Sequence, residues 1–197
     1  MATEIEAKFL NIDHDEIRAK LAAAGAELKA PMRLMRRQLF DYSDGRLHKA
    51  NGGRLRVRDE GGKVTLTYKS GSDKEYSEEY ETTVGSYEAT VEILQAVGLQ
   101  AFTSQQTKRE TWQLDGVEIV LDIWPWLNPY IEIEGPTEAS IKAVAQKLAL
   151  KWGDALFGSA DTAYRAQYPG MTAEDTVGQV TDLNFESPIP QWFTDRQ

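Results

Sequence analysis

The sequence contains no cysteine, and His14 and His48 are its only histidines. Without thiols the chain forms no disulfide bond or thiolate metal site and has no cysteine nucleophile. The two histidines lie far apart in the sequence, so a histidine-rich metal site is not expected. No run approaches the ~20 apolar residues that a membrane-spanning helix needs, and the first residues lack the pattern of a secretory signal. These absences favour a cytoplasmic protein with no membrane partner.

Positive charge is also scarce, with 22 lysines and arginines against 31 aspartates and glutamates, which gives a net charge of -9. A general nucleic-acid binder needs a positive surface to release counterions from the phosphate backbone, so no nucleic-acid partner is expected. A length of 197 residues allows one sizeable core. We predict one domain over residues 1–168 and an irregular, partly ordered C-terminal tail without function over 169–197. The alternative is that Trp192 and Phe193 pin the tail to the domain or to a second subunit of a homodimer.

The first strand has charge on one face. Side chains alternate between the two faces of a β-strand, so Glu4, Glu6 and Lys8 project to one side, and Ile5 and Ala7 to the other. Solvent on an exposed face explains such a pattern on a single strand. Cations between the carboxylates are the alternative.

A second strand has three guanidinium groups on one face, from Arg54, Arg56 and Arg58. The turn at Gly61 and Gly62 and a following strand that contains Lys69 predict a β-hairpin. Like charges on one face repel one another. A bound polyanion removes this conflict, since guanidinium groups match phosphate oxygens in a bidentate manner.

The later strands repeat the pattern with both signs of charge. Lys108 and Arg109 precede a turn at Asp115 and Gly116, and Asp122 lies on the returning strand. A further strand then contains Glu132 and Glu134 opposite isoleucines, while Glu79 and Glu81 lie on an earlier strand. Helices are predicted from Asp13 to a point before Pro31, from Ser86 to Gly98 and from Thr137 onward.

An open sheet with a solvent-exposed outer face explains the alternation of charged and apolar residues, but it does not explain triplets of like charge. A barrel with a polar interior and helices over its apolar outer face explains both. Buried charges of both signs require partners. A polyphosphate with Mg²⁺ or Mn²⁺ supplies them, because basic side chains bind phosphate oxygens and carboxylates bind the metal.

Over residues 1 to about 168, this combination of motifs resembles the CYTH superfamily of triphosphate tunnel proteins, which includes inorganic and thiamine triphosphatases and class IV adenylyl cyclases. The resemblance implies an α+β fold, a closed antiparallel barrel of eight strands with helices packed outside. It assigns divalent metals to Glu4, Glu6, Asp122, Glu132 and Glu134. It assigns the triphosphate to Lys8, Arg56, Arg58, Lys69 and Arg109, and Lys108 and Arg54 are added as neighbours.

Two residues depart from the family pattern. Thr107 replaces a basic residue, and Leu39 replaces a tyrosine that pairs with the first-strand lysine. Lys8 and Glu81 are the candidate catalytic residues, with Glu81 positioning water.

The implied activity is metal-dependent hydrolysis of inorganic tripolyphosphate or a small organic triphosphate. The alternatives are a class IV adenylyl cyclase and a non-catalytic polyphosphate or nucleotide binder.

Overall fold

The computed structural model describes residues 5–70, 78–172 and 175–195. Within these ranges the chain forms an α+β fold of nine strands and six helices. The strands are β1 (Ile5–Phe9), β2 (Glu27–Tyr42), β3 (Arg54–Asp59), β4 (Val64–Ser70), β5 (Glu78–Val84), β6 (Leu99–Leu114), β7 (Val117–Ile123), β8 (Tyr130–Gly135) and β9 (Asp182–Leu183). The helices are α1 (His14–Ala23), α2 (Arg46–Asn51), α3 (Tyr87–Ala96), α4 (Glu138–Lys147), α5 (Ala160–Gln167) and α6 (Gln191–Thr194).

Neighbouring strands follow the order β1-β8-β7-β6-β2-β3-β4-β5, and β9 pairs in parallel with β6. The chain divides into two compact units. Unit 1 comprises Met1–Arg33, Thr107–Val177 and Pro188–Gln197, and unit 2 comprises Leu34–Gln106 and Gly178–Ser187. The two 16-residue strands β2 and β6 contribute to both units. The predicted antiparallel sheet is confirmed. Its closure into a barrel stays a prediction.

The core of unit 1 lies between one face of its strands and two helices. Alternate residues of β1, β7 and β8, such as Ala7, Ile119 and Ile133, are fully buried against Leu21 of α1 and Ile141 of α4. Burying an aliphatic side chain of this size stabilises the fold by roughly 1.5–3 kcal/mol. The strand alternation then directs the intervening charged residues to the face away from the helices.

Unit 2 is built in the same way with a different helix. Phe40 of β2 and Val57 of β3 are fully buried and pack with Tyr87 and Leu94 of α3. Ser86 caps this helix by accepting a hydrogen bond from the Ala89 amide, as predicted. In each unit, therefore, the helices cover the apolar side of the strands.

The prediction that the first helix continues to a point before Pro31 is wrong. Helix α1 ends at Ala23, Gly25 has a φ of 78°, and β2 already begins at Glu27. The Ala26 amide donates to the Leu21 carbonyl and the Gly25 amide to that of Ala22, which is the Schellman arrangement. Gly25 terminates the helix because glycine adopts a positive φ at little cost.

Other local predictions are confirmed. β3 and β4 form the predicted hairpin, with Arg56 opposite Thr67. Asp115 and Gly116 both have positive φ values, as a two-residue type I′ turn between β6 and β7 requires. Among the described residues no helix is long and apolar enough to cross a membrane.

The segment that follows α5 contains two anchors. β9 pairs with β6 in unit 2, and its Leu183 is fully buried. In unit 1, Phe193 of α6 is fully buried among Trp126, Tyr164 and Tyr168. Each of the two anchors is thus held by a buried apolar side chain within one unit.

Candidate functional site

The acidic face is the side of β1, β6, β7 and β8 in unit 1 that lies opposite the helices. It carries most of the carboxylates singled out from the sequence and two cations. Its ionisable residues are Glu6, Lys8, Arg109, Glu118, Asp122, Tyr130, Glu132 and Glu134. Glu4 lies outside the described residues, so its predicted role stays a prediction.

The strand register arranges this face in rows. Glu134 of β8 lies between Glu6 of β1 and Glu118 of β7. In the next row, Glu132 is opposite Lys8. Directly paired residues on adjacent antiparallel strands have Cβ atoms ~4.5–5.5 Å apart. Glu118 alternates with Asp122 along β7 but was not predicted as a site residue, because alternation alone gives no register between strands.

A third row completes the face. Tyr130 of β8 is opposite Asp122 of β7, and Asp122 is opposite Arg109 of β6. The sequence contained a signal for Tyr130, since it alternates with Glu132 and Glu134 along the same strand.

Lys8 is 1% exposed and is surrounded by acceptors. Its ammonium forms an ion pair with Glu6, lies 3.3 Å from Glu132, and donates to the Gly158 carbonyl oxygen at 2.6 Å. The backbone of Lys8 also exchanges two hydrogen bonds with Leu156. An ammonium has three donors, so all of them are used by the protein itself. A phosphate oxygen that binds Lys8 must displace one of these acceptors.

Arg109 joins two carboxylates. Its Nε donates to Asp122 at 2.8 Å, its Nη2 bonds the other oxygen of Asp122, and the same Nη2 lies 3.0 Å from Glu132. Burial favours the neutral guanidinium, but Asp122 and Glu132 outweigh this and raise the pKa of Arg109 well above its usual range. Arg109 therefore remains charged, and this fixed charge compensates fully buried Asp122.

Tyr130 is fully buried beside these charges. Burial, reinforced by the negative charges of Asp122 and Glu132, raises the pKa of its phenol well above the usual value. The hydroxyl is thus protonated at neutral pH and available as a donor. The Tyr130 carbonyl oxygen bonds the His14 ring, which fixes the start of β8 against α1.

The donor chemistry of the acidic face fits Mg²⁺ or Mn²⁺, because both metals prefer carboxylate oxygens. Carboxylates of this face, however, form ion pairs with Lys8 and Arg109. In the portion of the chain that the structure describes, no three acidic or histidine side chains converge as a metal site. Glu6 binds Lys8, and Glu132 is shared between Lys8 and Arg109. Metal binding would exchange these ion pairs for carboxylate–metal bonds.

The basic face is the side of β2 to β5 in unit 2 that lies opposite α3. The three arginines Arg54, Arg56 and Arg58 share this face, as their alternation in the sequence predicted. The register pairs Arg54 with Lys69 and Glu79, Arg56 with Thr67 and Glu81, and Arg58 with Thr65 and Thr83.

Carboxylates compensate part of this charge. The Nη2 atom of Arg58 lies 2.6 Å from Glu60, and Lys69 lies 3.3 Å from Glu79. The Nη2 atom of Arg56 is 4.0 Å from Glu81. Fixed guanidinium groups in a partly buried setting attract a polyanion more strongly than they would in bulk water.

Glu81 is held in place by its neighbours. It accepts a hydrogen bond from the Thr67 hydroxyl at 2.8 Å and lies 3.6 Å from the Lys63 ammonium. Burial tends to raise the pKa of Glu81, but the Thr67 hydrogen bond and the charges of Arg58 and Lys63 outweigh it, so the pKa lies below the ordinary value. An ionised Glu81 suits hydrogen-bond acceptance from water better than proton abstraction.

The structure also fixes the phase of β2. Leu39 is paired with Arg56 on the basic face, whereas Phe40 points into the α3 core. Tyr42 packs with that core as well, and the Arg46 guanidinium lies over its ring at 3.6 Å. Leu39 therefore occupies the position at which the resemblance implies a tyrosine.

Lys108 and Arg109 lie on opposite faces of β6. The regular register of β6 with β7 places Lys108 on the same side as Trp112 and as Glu110, which binds Arg18 of α1. Glu110 accepts hydrogen bonds from Arg18 and Trp112. Burial tends to raise the pKa of Glu110, but these hydrogen bonds outweigh it and leave the pKa below its ordinary value.

Trp124 and Trp126 lie in the loop between β7 and β8. Trp124 is 5% exposed and meets Tyr164 edge to face, and Trp126 packs against Phe193. The Tyr164 hydroxyl donates to the Pro125 carbonyl at 2.7 Å. Both tryptophans thus take part in an aromatic cluster of unit 1.

Comparison with known proteins identifies a family. A family model described as the CYTH domain matches residues 2–165. No protein with a curated description matches the chain.

Solved structures share the fold. A putative adenylate cyclase from Vibrio parahaemolyticus is 16% identical with a TM-score of 0.71, and the match covers 81% of this chain and 96% of that one. The PH1012 protein from Pyrococcus horikoshii is 24% identical with a TM-score of 0.62, covering 78% and 94%. A putative adenylyl cyclase from Hippeastrum, HpAC1, described as having a dominant triphosphatase activity, is 14% identical with a TM-score of 0.59, covering 88% and 98%. The family match over most of the chain shows that this protein belongs to the CYTH domain family.

Proposed function

We propose that this protein is a divalent-metal-dependent triphosphatase that hydrolyses inorganic tripolyphosphate or a small organic triphosphate. The observation that carries the proposal is the segregation of charge between two strand faces. Each face lies opposite the helices of its unit; one is rich in carboxylates, and the other carries Arg54, Arg56, Arg58 and Lys69. A metal–polyphosphate complex combines the two charges that these faces would bind. The proposal includes the closed eight-stranded barrel that the CYTH resemblance implies.

Glu6, Glu132 and Glu134 would hold Mg²⁺ or Mn²⁺, together with Glu4. When bound, the metal would supply positive charge to the phosphate oxygens. The resemblance assigns Asp122 to the metal too. Because both oxygens of Asp122 bind Arg109, we propose that Asp122 orients Arg109, which then meets phosphate oxygens.

The basic strands would hold the phosphate chain. Arg56 and Arg58 offer bidentate donors, and their partly buried positions reduce competition from water. Lys8 would exchange Glu6 or Glu132 for a phosphate oxygen. Positioning and charge neutralisation of this kind supply most of the catalysis in phosphoryl transfer.

In the proposed reaction, a water oxygen attacks the terminal phosphorus and the bond to the bridging oxygen breaks. Phosphate and the shortened phosphate chain leave, and the protons of the water pass to the products and solvent. Glu81 would orient the water by accepting a hydrogen bond, since Thr67 and the nearby cations keep it ionised.

Hydrolysis is preferred to cyclisation. A protein of the same fold, HpAC1, is described as having a dominant triphosphatase activity, which supports the choice. In the alternative cyclase reaction the ribose 3′-hydroxyl is the nucleophile and pyrophosphate leaves. Trp124 is buried and half-buried Trp126 packs against Phe193, which does not favour a role for these rings in stacking on an adenine base. A third function, binding without turnover, is consistent with Leu39 in place of the tyrosine.

One assay separates these functions. The purified protein is incubated with tripolyphosphate, thiamine triphosphate or ATP, with Mg²⁺ or Mn²⁺, and matched samples contain EDTA. We expect metal-dependent release of phosphate without cyclic AMP. Pyrophosphate with cyclic AMP would establish the cyclase instead, and tripolyphosphate binding without products would establish the binder.

A further inference from the structure

Unit 1 contains three tyrosines that are almost completely buried, and their hydroxyl groups differ. Tyr130 and Tyr164 are 0% exposed and Tyr168 is 2% exposed. The Tyr164 hydroxyl donates to the Pro125 carbonyl, and the Tyr168 hydroxyl donates to the Trp126 carbonyl at 2.5 Å. Within the described residues, the Tyr130 hydroxyl has no hydrogen-bond partner. A buried hydroxyl without a partner is unfavourable, so such a group requires an explanation.

The position of Tyr130 provides the explanation. It alternates along β8 with Ile131, which packs in the helix-covered core, so its side chain belongs to the acidic face. Its cross-strand partner is Asp122, and the next residue on the same face is Glu132. The two partnered tyrosines lie instead in the aromatic cluster around Phe193. The unsatisfied donor is therefore the one that faces the candidate site.

The two carboxylates nearest in register to Tyr130 bind cations and accept no hydrogen bond from its hydroxyl. Asp122 directs both oxygens to Arg109, and Glu132 is shared between Arg109 and Lys8. The start of β8 is fixed by the bond from the His14 ring to the Tyr130 carbonyl and by the bond from the Ile12 amide to the Pro129 carbonyl. The backbone is therefore fixed, and full burial of the side chain gives the phenol ring little freedom to turn elsewhere.

We propose that the Tyr130 hydroxyl is a positioning donor for an oxyanion, a phosphate oxygen of the bound substrate, on the acidic face. The inference rests on the proposed function, since the phosphate is that of the triphosphate. It gives the face a neutral donor beside the cations Lys8 and Arg109. A neutral donor adds direction to phosphate binding, because a hydrogen bond depends on angle more strongly than an ion pair does.

The test compares Tyr130→Phe with the matched control Tyr164→Phe, each of which removes one buried hydroxyl oxygen. Melting of the free proteins is measured first. Loss of the Tyr164 hydrogen bond should lower the melting temperature by about 2–4 °C. Tyr130→Phe should melt at or above the parent temperature, because it removes an unsatisfied polar group. A decrease as large as that of Tyr164→Phe would show that the hydroxyl has a partner in the free protein and would overturn the inference.

Tripolyphosphate binding is then measured by calorimetry in EDTA, which prevents metal-dependent turnover. We expect the dissociation constant to rise about tenfold in Tyr130→Phe, as for a hydrogen bond to a charged acceptor, and to stay unchanged in Tyr164→Phe. If the parent binds and Tyr130→Phe binds equally tightly, the inference is wrong while the proposed function stands. If the parent itself neither binds nor hydrolyses tripolyphosphate, both are wrong.

Discussion

The ion pair between Asp122 and Arg109 offers the sharpest test of how the acidic face is held together. Asp122 is 0% exposed, and both of its oxygens accept from the Arg109 guanidinium. The substitution Asp122→Asn keeps the shape of the side chain and removes its charge. The variant therefore reports on the electrostatic part of the contact.

The magnitude follows from what remains around Arg109. Removing one partner of a buried ion pair costs roughly 3–5 kcal/mol, because the other charge stays buried. Arg109 keeps Glu132 at 3.0 Å, and the introduced amide oxygen still accepts one hydrogen bond. We therefore expect a loss of about 3 kcal/mol in unfolding free energy. For a chain of this length that loss lowers the melting temperature by roughly 6–12 °C.

A double-mutant cycle in urea isolates the pairwise contribution. It uses the parent, Asp122→Asn, Arg109→Met and the double variant. Residues in direct contact show coupling energies of about 0.5–3 kcal/mol, and we expect a value in the upper half of that range. A coupling below about 0.5 kcal/mol, with unchanged stability but weaker Mn²⁺ binding in Asp122→Asn, would contradict the reasoning and return Asp122 to the metal.

Three further predictions concern turnover and pH. Glu132→Gln and Glu134→Gln should each abolish metal-dependent phosphate release, and Glu132→Gln should also lower the urea midpoint, because Glu132 pairs with two cations; unchanged rates and metal dependence would remove this strand from the metal site. Leu39→Tyr should raise the hydrolytic rate or change the preferred substrate, because general acid–base assistance is worth ~10²–10⁴-fold; a lower melting temperature at constant rate per folded molecule would contradict this. Glu110→Gln should lower the urea midpoint at pH 7, because the carboxylate, whose pKa is depressed in the folded protein, stabilises the fold at that pH. The difference in midpoint from the parent should vanish as the pH falls from about 4.3, the usual glutamate pKa, through the folded pKa. A difference that does not depend on pH would exclude a charge effect.

Much of the fold was predictable because alternation along a strand is a local property. Ala7 and the isoleucines opposite Glu132 and Glu134 were assigned to the apolar side from their spacing alone, and Ala7, Ile131 and Ile133 are buried there. The type I′ turn at Asp115 and Gly116 was likewise encoded by two adjacent residues. The end of α1 was missed because the predicted helix continued through Gly25 to a point before Pro31, although the positive φ of Gly25 terminates the helix.

The ion pairing of the site was less predictable. Nothing in the spacing indicated that Glu132 is shared between Lys8 and Arg109, since these residues lie far apart in sequence. Cross-strand register decides such contacts, and register depends on the whole core. For the same reason, the row that joins Glu6, Glu134 and Glu118 was not predicted. Alternation identified the face, whereas pairing between strands determined its chemistry.

A crystal structure of the protein with Mn²⁺ and tripolyphosphate would test the central claim most directly. The anomalous signal of manganese locates the metal, and the phosphorus atoms show where the anion binds. We expect manganese to be coordinated by carboxylate oxygens of Glu132 and Glu134, and phosphate oxygens to lie within hydrogen-bonding distance of Arg56 and Arg58. Manganese bound away from these carboxylates, or tripolyphosphate bound away from these arginines, would contradict the account.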